Sequence, residues 1–193
     1  DGLHAAKGEY ILVLNADIII PGTSLAEWLN FMDKHPSIGV SGPKLVNLDG
    51  TLQYSCFRFY TPLTILARRT RFGRTSRGRR LLARFLMYDY ERRVARDVDW
   101  LMGSALLIRR SAYEKVGDMD PRFFLYFEDV DWCRRCWQAG FRVVYNPKIE
   151  LTHYHMKASD SKGGLRDIIT NRLTRVHIAS AVKYFLKYLG KPL

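Results

Sequence analysis

What this chain lacks narrows it quickly. It has three cysteines in 193 residues, too few and too odd in number for a disulfide scaffold. Cys133 and Cys136 share a C-x-x-C spacing, but no second pair is present to complete a zinc site. They read as reduced thiols of a cytosolic protein. No apolar run is long enough to span a bilayer, and no stretch has the pattern of a secretory signal. No internal repeat is present. Acids are scarce: 19 Asp and Glu face 31 Lys and Arg, leaving a net charge of +12. Such an excess calls for an anionic partner, whether phosphate, nucleic acid or an acidic membrane surface.

What is present suits one domain over residues 1–193. Hydrophobic residues make up 47% and aromatics 13%, enough for a real core and too much for a disordered chain. The opening Asp1-Gly2-Leu3-His4-Ala5-Ala6-Lys7-Gly8 has no initiator Met and reads as the end of a helix leading into a strand. Glu9 to Leu14 is then a nearly continuous apolar run, the pattern of a strand buried on both faces of a parallel sheet. It ends at Asn15-Ala16-Asp17, and ligands bind at such strand ends in open α/β sheets. Ser24 with Glu27, and Ser111 with Glu114, are spaced as capping boxes. Ile38 to Ser41, Val98 to Leu101, Ala105 to Arg109, Val143 to Tyr145 and Ile149 to Thr152 read as strands, the last two turned by Asn146-Pro147. Asp49-Gly50 marks a turn. A helix is expected from Asp129 to Ala139, closed by Gly140.

Two stretches stand apart. From Arg68 to Arg96 there are eleven arginines against Asp89 and Glu91. Apolar residues interleave, and Gly73 and Gly78 interrupt. The spacing predicts a basic helical excursion over about 63–96, two short amphipathic helices around a flexible link, projecting from the fold. Aromatics are few there and no nucleic-acid motif accompanies the arginines, so an anionic membrane surface suits the segment better than nucleic acid. Near the C-terminus, Ile178, Val182, Phe185, Leu186 and Leu189 predict an amphipathic helix over about 165–190.

The run Phe123-Phe124-Leu125-Tyr126-Phe127-Glu128-Asp129-Val130-Asp131 joins aromatics, which favour burial, to three clustered acids. One acid in a first helical turn is explained by the helix dipole; three are less easily explained. Asp129 is placed to serve as a general base, and the dipole should keep it ionised. Asp17 reads either as a loop cap or as a ligand to a divalent cation shared with a diphosphate. Of His153 and His155, which alternate along a strand, at most one can face such a site. Imidazole suits Mn²⁺ beside a carboxylate.

Taken in order, Gly8 to Asp17, His35 to Pro43, Asp99 to Ala105, Phe123 to Asp131 and His153 resemble family 2 glycosyltransferases, most closely their rhamnosyltransferase-like branch. The resemblance spans almost the whole chain and is most specific from Phe123 to Arg134. It implies an α/β GT-A fold, the Rossmann-like fold of nucleotide-diphospho-sugar transferases. It also implies inverting transfer from a nucleotide-diphosphate sugar to a glycan or lipid-linked acceptor of the cell envelope. Carried over by position, Asp129 is the base. Asn15 and Asp17 stand at the Asp-x-Asp motif, with Asn15 replacing its first acid. Asp17 and His153 would hold Mg²⁺ or Mn²⁺, and Trp100, Gly103 and Glu128 lie near the acceptor. The family's first strands, which hold the nucleotide, are not found, so the chain is expected to be an N-terminally truncated, C-terminal part of a catalytic domain. The expected location is cytoplasmic, at the inner face of the membrane. The rival reading is a non-catalytic basic module that binds a membrane or polyanion and keeps the fold without donor binding.

Overall fold

The computed structural model describes residues 2–154 and 171–191. In chain order the elements are α1 (Gly2–Ala5), β1 (Tyr10–Leu14), β2 (Ile18–Ile19), α2 (Ser24–Asp33), β3 (Ile38–Val46), β4 (Leu52–Gln53) and β5 (Cys56–Phe57). There follow α3 (Pro62–Arg69), a 3₁₀ turn (Arg71–Arg74), α4 (Ser76–Phe85), β6 (Arg96–Asp97), β7 (Trp100–Leu101), β8 (Ala105–Arg109) and α5 (Arg110–Val116). Last come α6 (Glu128–Gln138), β9 (Arg142–His153) and α7 (Arg172–Lys187).

The central sheet runs β1-β8-β3-β9-β2, with β4 beside β3 and β6 beside β9. Among the described residues only β3 and β9 pair in parallel; β8 is antiparallel to both β1 and β3. β1 is therefore not a strand of a parallel sheet, as its apolar run suggested. It is antiparallel to β8, and of its residues only Ile11 is fully buried. Side chains alternate cleanly where both faces are covered. Ala105 and Leu107 of β8 join Trp28 and Met32 of α2 on one face. Leu106 and Ile108 join Val130, Cys133 and Cys136 of α6 on the other.

β9 is one strand, not two joined by a turn. Its register against β3 jumps from Pro43↔Asn146 to Lys44↔Glu150. Pro147 has no N–H to donate, and the irregularity places it where the ladder needs none. Neither capping box forms as spaced. The cap of α2 is Thr23, whose Oγ1 lies 2.8 Å from Glu27 Oε1. The first residue of α5 is Arg110, so Ser111 falls inside the helix.

The basic segment folds back on the body. α3 is capped by Thr61, which accepts from Thr64 N–H at 3.1 Å, and α4 by Thr75, which accepts from Gly78 N–H at 3.1 Å. Gly73 and Gly78 are close-approach points rather than a flexible link. A Cβ on Gly73 would lie 2.1 Å from Ala67 O, and one on Gly78 2.1 Å from Phe72 O. Phe85, Met87 and Tyr90 are buried in the core, while Arg71, Arg74, Arg77, Arg79, Arg80 and Arg84 stay exposed.

In α7 the buried stripe is Thr174, His177, Ala181 and Tyr184, and the expected Val182, Leu186 and Leu189 are exposed. The core that α7 meets is aromatic and polar, so Tyr and His, which bring hydrogen-bonding tips, fit it better than leucine. Asn171 caps α7 by accepting from Leu173 N–H at 2.9 Å. The expected helical residues 165–170 lie outside the described residues, as does His155. Among the described residues no helix is long and apolar enough to cross a membrane.

Candidate active site

The acid run is aimed by an unusual stretch of backbone. Tyr126 and Phe127 both have positive φ, +66° and +72°, immediately before α6. A left-handed non-glycine residue costs roughly 1–3 kcal/mol and persists only where packing enforces it. Phe127 is 2% exposed, with its ring centroid 4.8 Å from that of Tyr60 and 5.4 Å from that of Tyr184. That packing holds the turn, and the turn splits the acids.

Asp129 faces a cavity of about 570 Å³. Its Oδ2 accepts from Gly103 N–H at 3.0 Å and its Oδ1 from Val130 N–H at 2.8 Å. Burial, then the neighbouring Glu128, push its pKa up to about 7, against the pull of those two N–H groups. The helix dipole thus does not keep Asp129 at an ordinary carboxylate pKa; desolvation outweighs it. Glu128 also lines the cavity, and burial raises its pKa. Its buried Oε2 has no hydrogen-bond partner among the described residues. Asp131 points the other way. It is fully buried and bound to Lys187 Nζ at 2.5 Å, Arg135 Nε at 2.8 Å and Tyr188 OH at 2.8 Å.

The cavity wall beside Asp129 is aromatic. Trp100 stacks on Phe57, centroids 4.5 Å apart, and on Tyr60 at 5.5 Å. The Trp100 indole N–H donates to Arg58 O at 2.9 Å. Arg68 and Arg69 of α3, and Leu173, Thr174 and His177 of α7, also line the cavity. Sequence reasoning missed Tyr60, Arg68, Arg69 and His177. Nothing in the pattern separates two of eleven arginines, and a single histidine inside a helix carries no signal.

Asp17 and His153 meet at the end of the sheet. The pairing of Ile18 with His153 brings Asp17 Oδ1 to 3.2 Å from His153 Nε2. His153 Nδ1 is 2.8 Å from Gln53 Oε1, an acceptor, so Nδ1 carries a proton. Nε2 then faces the carboxylate either as a lone pair or, doubly protonated, as half of an ion pair. A lone pair and a carboxylate at this separation fit a divalent cation that brings further oxygen ligands with it. Among the described residues no group of three or more His, Cys, Asp or Glu could hold a metal alone. Neither residue lines the cavity. Asn15 connects the two places: its N–H donates to Ser104 O at 2.9 Å, one residue from the Gly103 N–H on Asp129. All three cysteines are free and buried, and burial raises each thiol pKa, to about 11 for Cys56 and about 12 for Cys136.

Comparison with known proteins gives the family and the fold. The family model described as "Glycosyltransferase like family 2" matches residues 1–172. An N-acetylglucosaminyl-diphospho-decaprenol L-rhamnosyltransferase of Mycobacterium tuberculosis is 51% identical over 59 residues, covering 31% of this chain and 19% of that protein. Rhamnosyltransferase WbbL of Escherichia coli is 42% identical over 57 residues, covering 30% and 22%. The O-antigen biosynthesis protein RfbC of Myxococcus xanthus is 28% identical over 151 residues, covering 77% of this chain and 11% of that one. The matched stretches thus span about a fifth or less of these relatives. Among solved structures, GalNAc-T7 with UDP, GalNAc and Mn²⁺ superposes with a TM-score of 0.52 at 16% identity, covering 80% of this chain and 29% of that one. At that identity the likeness speaks for the fold alone, and the fold is GT-A.

Proposed function

Because the chain belongs to glycosyltransferase family 2, we propose that it carries the base and the acceptor pocket of an inverting sugar transferase. The single observation behind this reading is the Asp129 carboxylate, held by Gly103 and Val130 N–H at the cavity, with a pKa near neutrality. A base works best when its pKa lies near the operating pH.

The acceptor sugar stacks on Trp100, with Phe57 and Tyr60 stiffening that platform. Asp129 takes the proton of the acceptor hydroxyl as the oxygen attacks the anomeric carbon from the side opposite the leaving group. A C–O bond forms, the bond to the donor phosphate breaks, the diphosphate departs, and the configuration inverts. Glu128 beside it raises the Asp129 pKa further and so keeps Asp129 from ionising early. Asp17 and His153 are the pair that would hold Mg²⁺ or Mn²⁺. Such a cation, when bound, offsets the charge growing on a leaving diphosphate. Asn15 sets the loop between that pair and the Gly103 donor.

The donor in this reading is a nucleotide-diphosphate sugar, and the names of the relatives favour a rhamnosyl group. The acceptor is a glycan or lipid-linked sugar of an envelope polysaccharide. Exposed Leu63 and Leu66 on α3, beside the exposed arginines of the 3₁₀ turn and α4, support peripheral contact with an anionic membrane. Vesicle co-sedimentation checks that contact. Equal binding to anionic and neutral lipid, or binding unchanged when the arginines from Arg68 to Arg80 become Gln, would remove it.

Asp129→Asn in the full-length protein tests the assignment of the base. Turnover should fall by roughly 10²–10⁴-fold with donor binding nearly intact. Normal turnover in that variant would end the reading.

A further inference from the structure

The turn at Asp49-Gly50 is tied to the cation pair by four consecutive side-chain hydrogen bonds. His153 Nδ1 meets Gln53 Oε1 at 2.8 Å. Gln53 Nε2 donates to Asn47 Oδ1 at 2.6 Å, and Asn47 Nδ2 donates to Thr51 Oγ1 at 2.8 Å. Thr51 Oγ1 donates to Asp49 Oδ1 at 2.5 Å. The backbone holds the far end in place. Asn47 N–H donates to Thr51 O at 2.8 Å, Gly50 N–H to Asn47 O at 2.9 Å, and Thr51 N–H to the same Asp49 Oδ1 at 2.9 Å. Gly50 turns the chain with φ +78°. β4 then brings Gln53 back to the sheet beside Leu45 of β3.

Every donor in this chain points the same way, and the carboxylate at its end decides the direction. A carboxylate only accepts, so the Thr51 hydroxyl directs its proton to Asp49. Thr51 Oγ1 then has only lone pairs for Asn47, which must present Nδ2 to it and keep Oδ1 for Gln53. Gln53 in turn must present Nε2 to Asn47 and Oε1 to the ring. His153 Nδ1 therefore holds a proton. A neutral ring held so has a lone pair at Nε2, 3.2 Å from Asp17 Oδ1. Two lone-pair atoms facing each other repel, and a cation between them relieves both. The opposite tautomer would place its proton on Nε2 and give it to Asp17, satisfying the pair with no cation at all.

We propose that Gln53, Asn47, Thr51 and Asp49 are positioning residues: a directed chain of hydrogen bonds that fixes the His153 tautomer and so keeps the pair of His153 and Asp17 open to a divalent cation. The proposal rests on the cation pair of the transferase reading and adds what holds that pair ready. It gives the hairpin between β3 and β4 a part in the site, although Asp49 and Thr51 are themselves exposed. Partners of this kind on the second nitrogen of a metal-binding imidazole are worth about 10–100-fold in metal affinity.

Two measurements on the full-length protein test it. The first is ¹⁵N NMR of ring-labelled histidine at pH 8, with the His153 signals assigned by their loss in His153→Gln. The wild type should show the neutral ring with its proton on Nδ1. Gln53→Met, which keeps the length and removes the acceptor, should move that proton to Nε2. Thr51→Val, on the exposed turn, should populate both tautomers, because Asn47 is then free to flip. The second is a titration with Mn²⁺ and inorganic pyrophosphate, which supplies the further oxygen ligands such a cation takes. The wild-type His153 signals should broaden, and Gln53→Met should require about 10–100-fold more Mn²⁺ for the same broadening. A proton on Nε2 in the wild type overturns the proposal. So does a Gln53→Met or Thr51→Val ring identical to that of the wild type, or a wild-type ring that Mn²⁺ leaves sharp. If Asp129→Asn abolishes transfer while Gln53→Met changes neither tautomer nor Mn²⁺ response, the chain of positioning residues falls and the transferase stands. If Gln53→Met changes both in a protein that transfers no sugar to any acceptor, the chain stands and the transferase falls.

Discussion

On the side of α6 that faces α7, Asp131 receives Lys187, Arg135 and Tyr188. On the side that faces the cavity, Asp129 receives two backbone N–H groups and Glu128 Oε2 receives nothing among the described residues. The three acids fall within four positions of one first turn and feel one helix dipole. Their different surroundings follow from what each side was packed against. Where cations close the shell, a carboxylate becomes a fastener. Where the shell is left open and dry, it becomes a proton acceptor with a pKa of about 7.

The largest test of this division is Asp129→Asn, with its expected 10²–10⁴-fold loss of turnover. The pH profile belongs with it. The base must be unprotonated, so kcat/KM should rise about tenfold per pH unit on the acid side and level off above about 7. A profile that is flat between pH 5 and 8 would break the comparison from the cavity side.

Next is Asp131→Asn. Removing one partner of a buried pair costs about 3–5 kcal/mol; Lys187 keeps Asp120 at 2.7 Å, but Arg135 and Tyr188 lose the carboxylate they share. Urea melts should show that loss, together with release of α7. Full stability with lost turnover would mean that Asp131 is not a fastener. Gly78→Ala follows, at about 1–3 kcal/mol, since the new methyl would collide with Phe72 O. A neutral result would restore the flexible link that the sequence suggested.

The smallest effect sharpens the contrast. The folded pKa of Asp129 lies above its unfolded value, so the stability linked to its neutral form is complete at low pH and is lost as pH rises through about 7. Asn is never charged and keeps an acceptor for Gly103 N–H. Asp129→Asn should therefore melt a few degrees higher than the wild type at pH 8, at about 2–4 °C per kcal/mol, and level with it near pH 4. Asp131→Asn should show no such gain at any pH.

Much of this site could be read in the sequence, and the rest could not, for physical reasons. Asp129, Trp100 and Gly103 belong to a contiguous motif or sit at strand ends, and local pattern reports such residues. The meeting of Asp17 with His153 depends on the pairing of β2 with β9, which a strand-end argument anticipates only in outline. Arg68, Arg69 and His177 reach the cavity through tertiary packing alone. α7 misled for a related reason. Its leucines form the better apolar stripe, yet the stripe that docks is the one whose hydroxyls and imidazole match an aromatic, partly polar core. β9 misled because Asn146-Pro147 is a turn signal in isolation and a register shift inside a long strand.

The parallel pairing of β3 with β9 has a consequence for how the molecule comes into being. During synthesis β3 precedes its longest partner, β9, which is made only after everything from β4 through α6. The chain must close that whole loop before the central strand is paired on that side, and loop-closure entropy makes such non-local pairing slow. Until then the apolar edge of β3, with Ile38, Val40 and Leu45, is open to other chains. Yield on expression should therefore depend on translation speed and temperature through residues 47–141 more than on the stability of the finished fold.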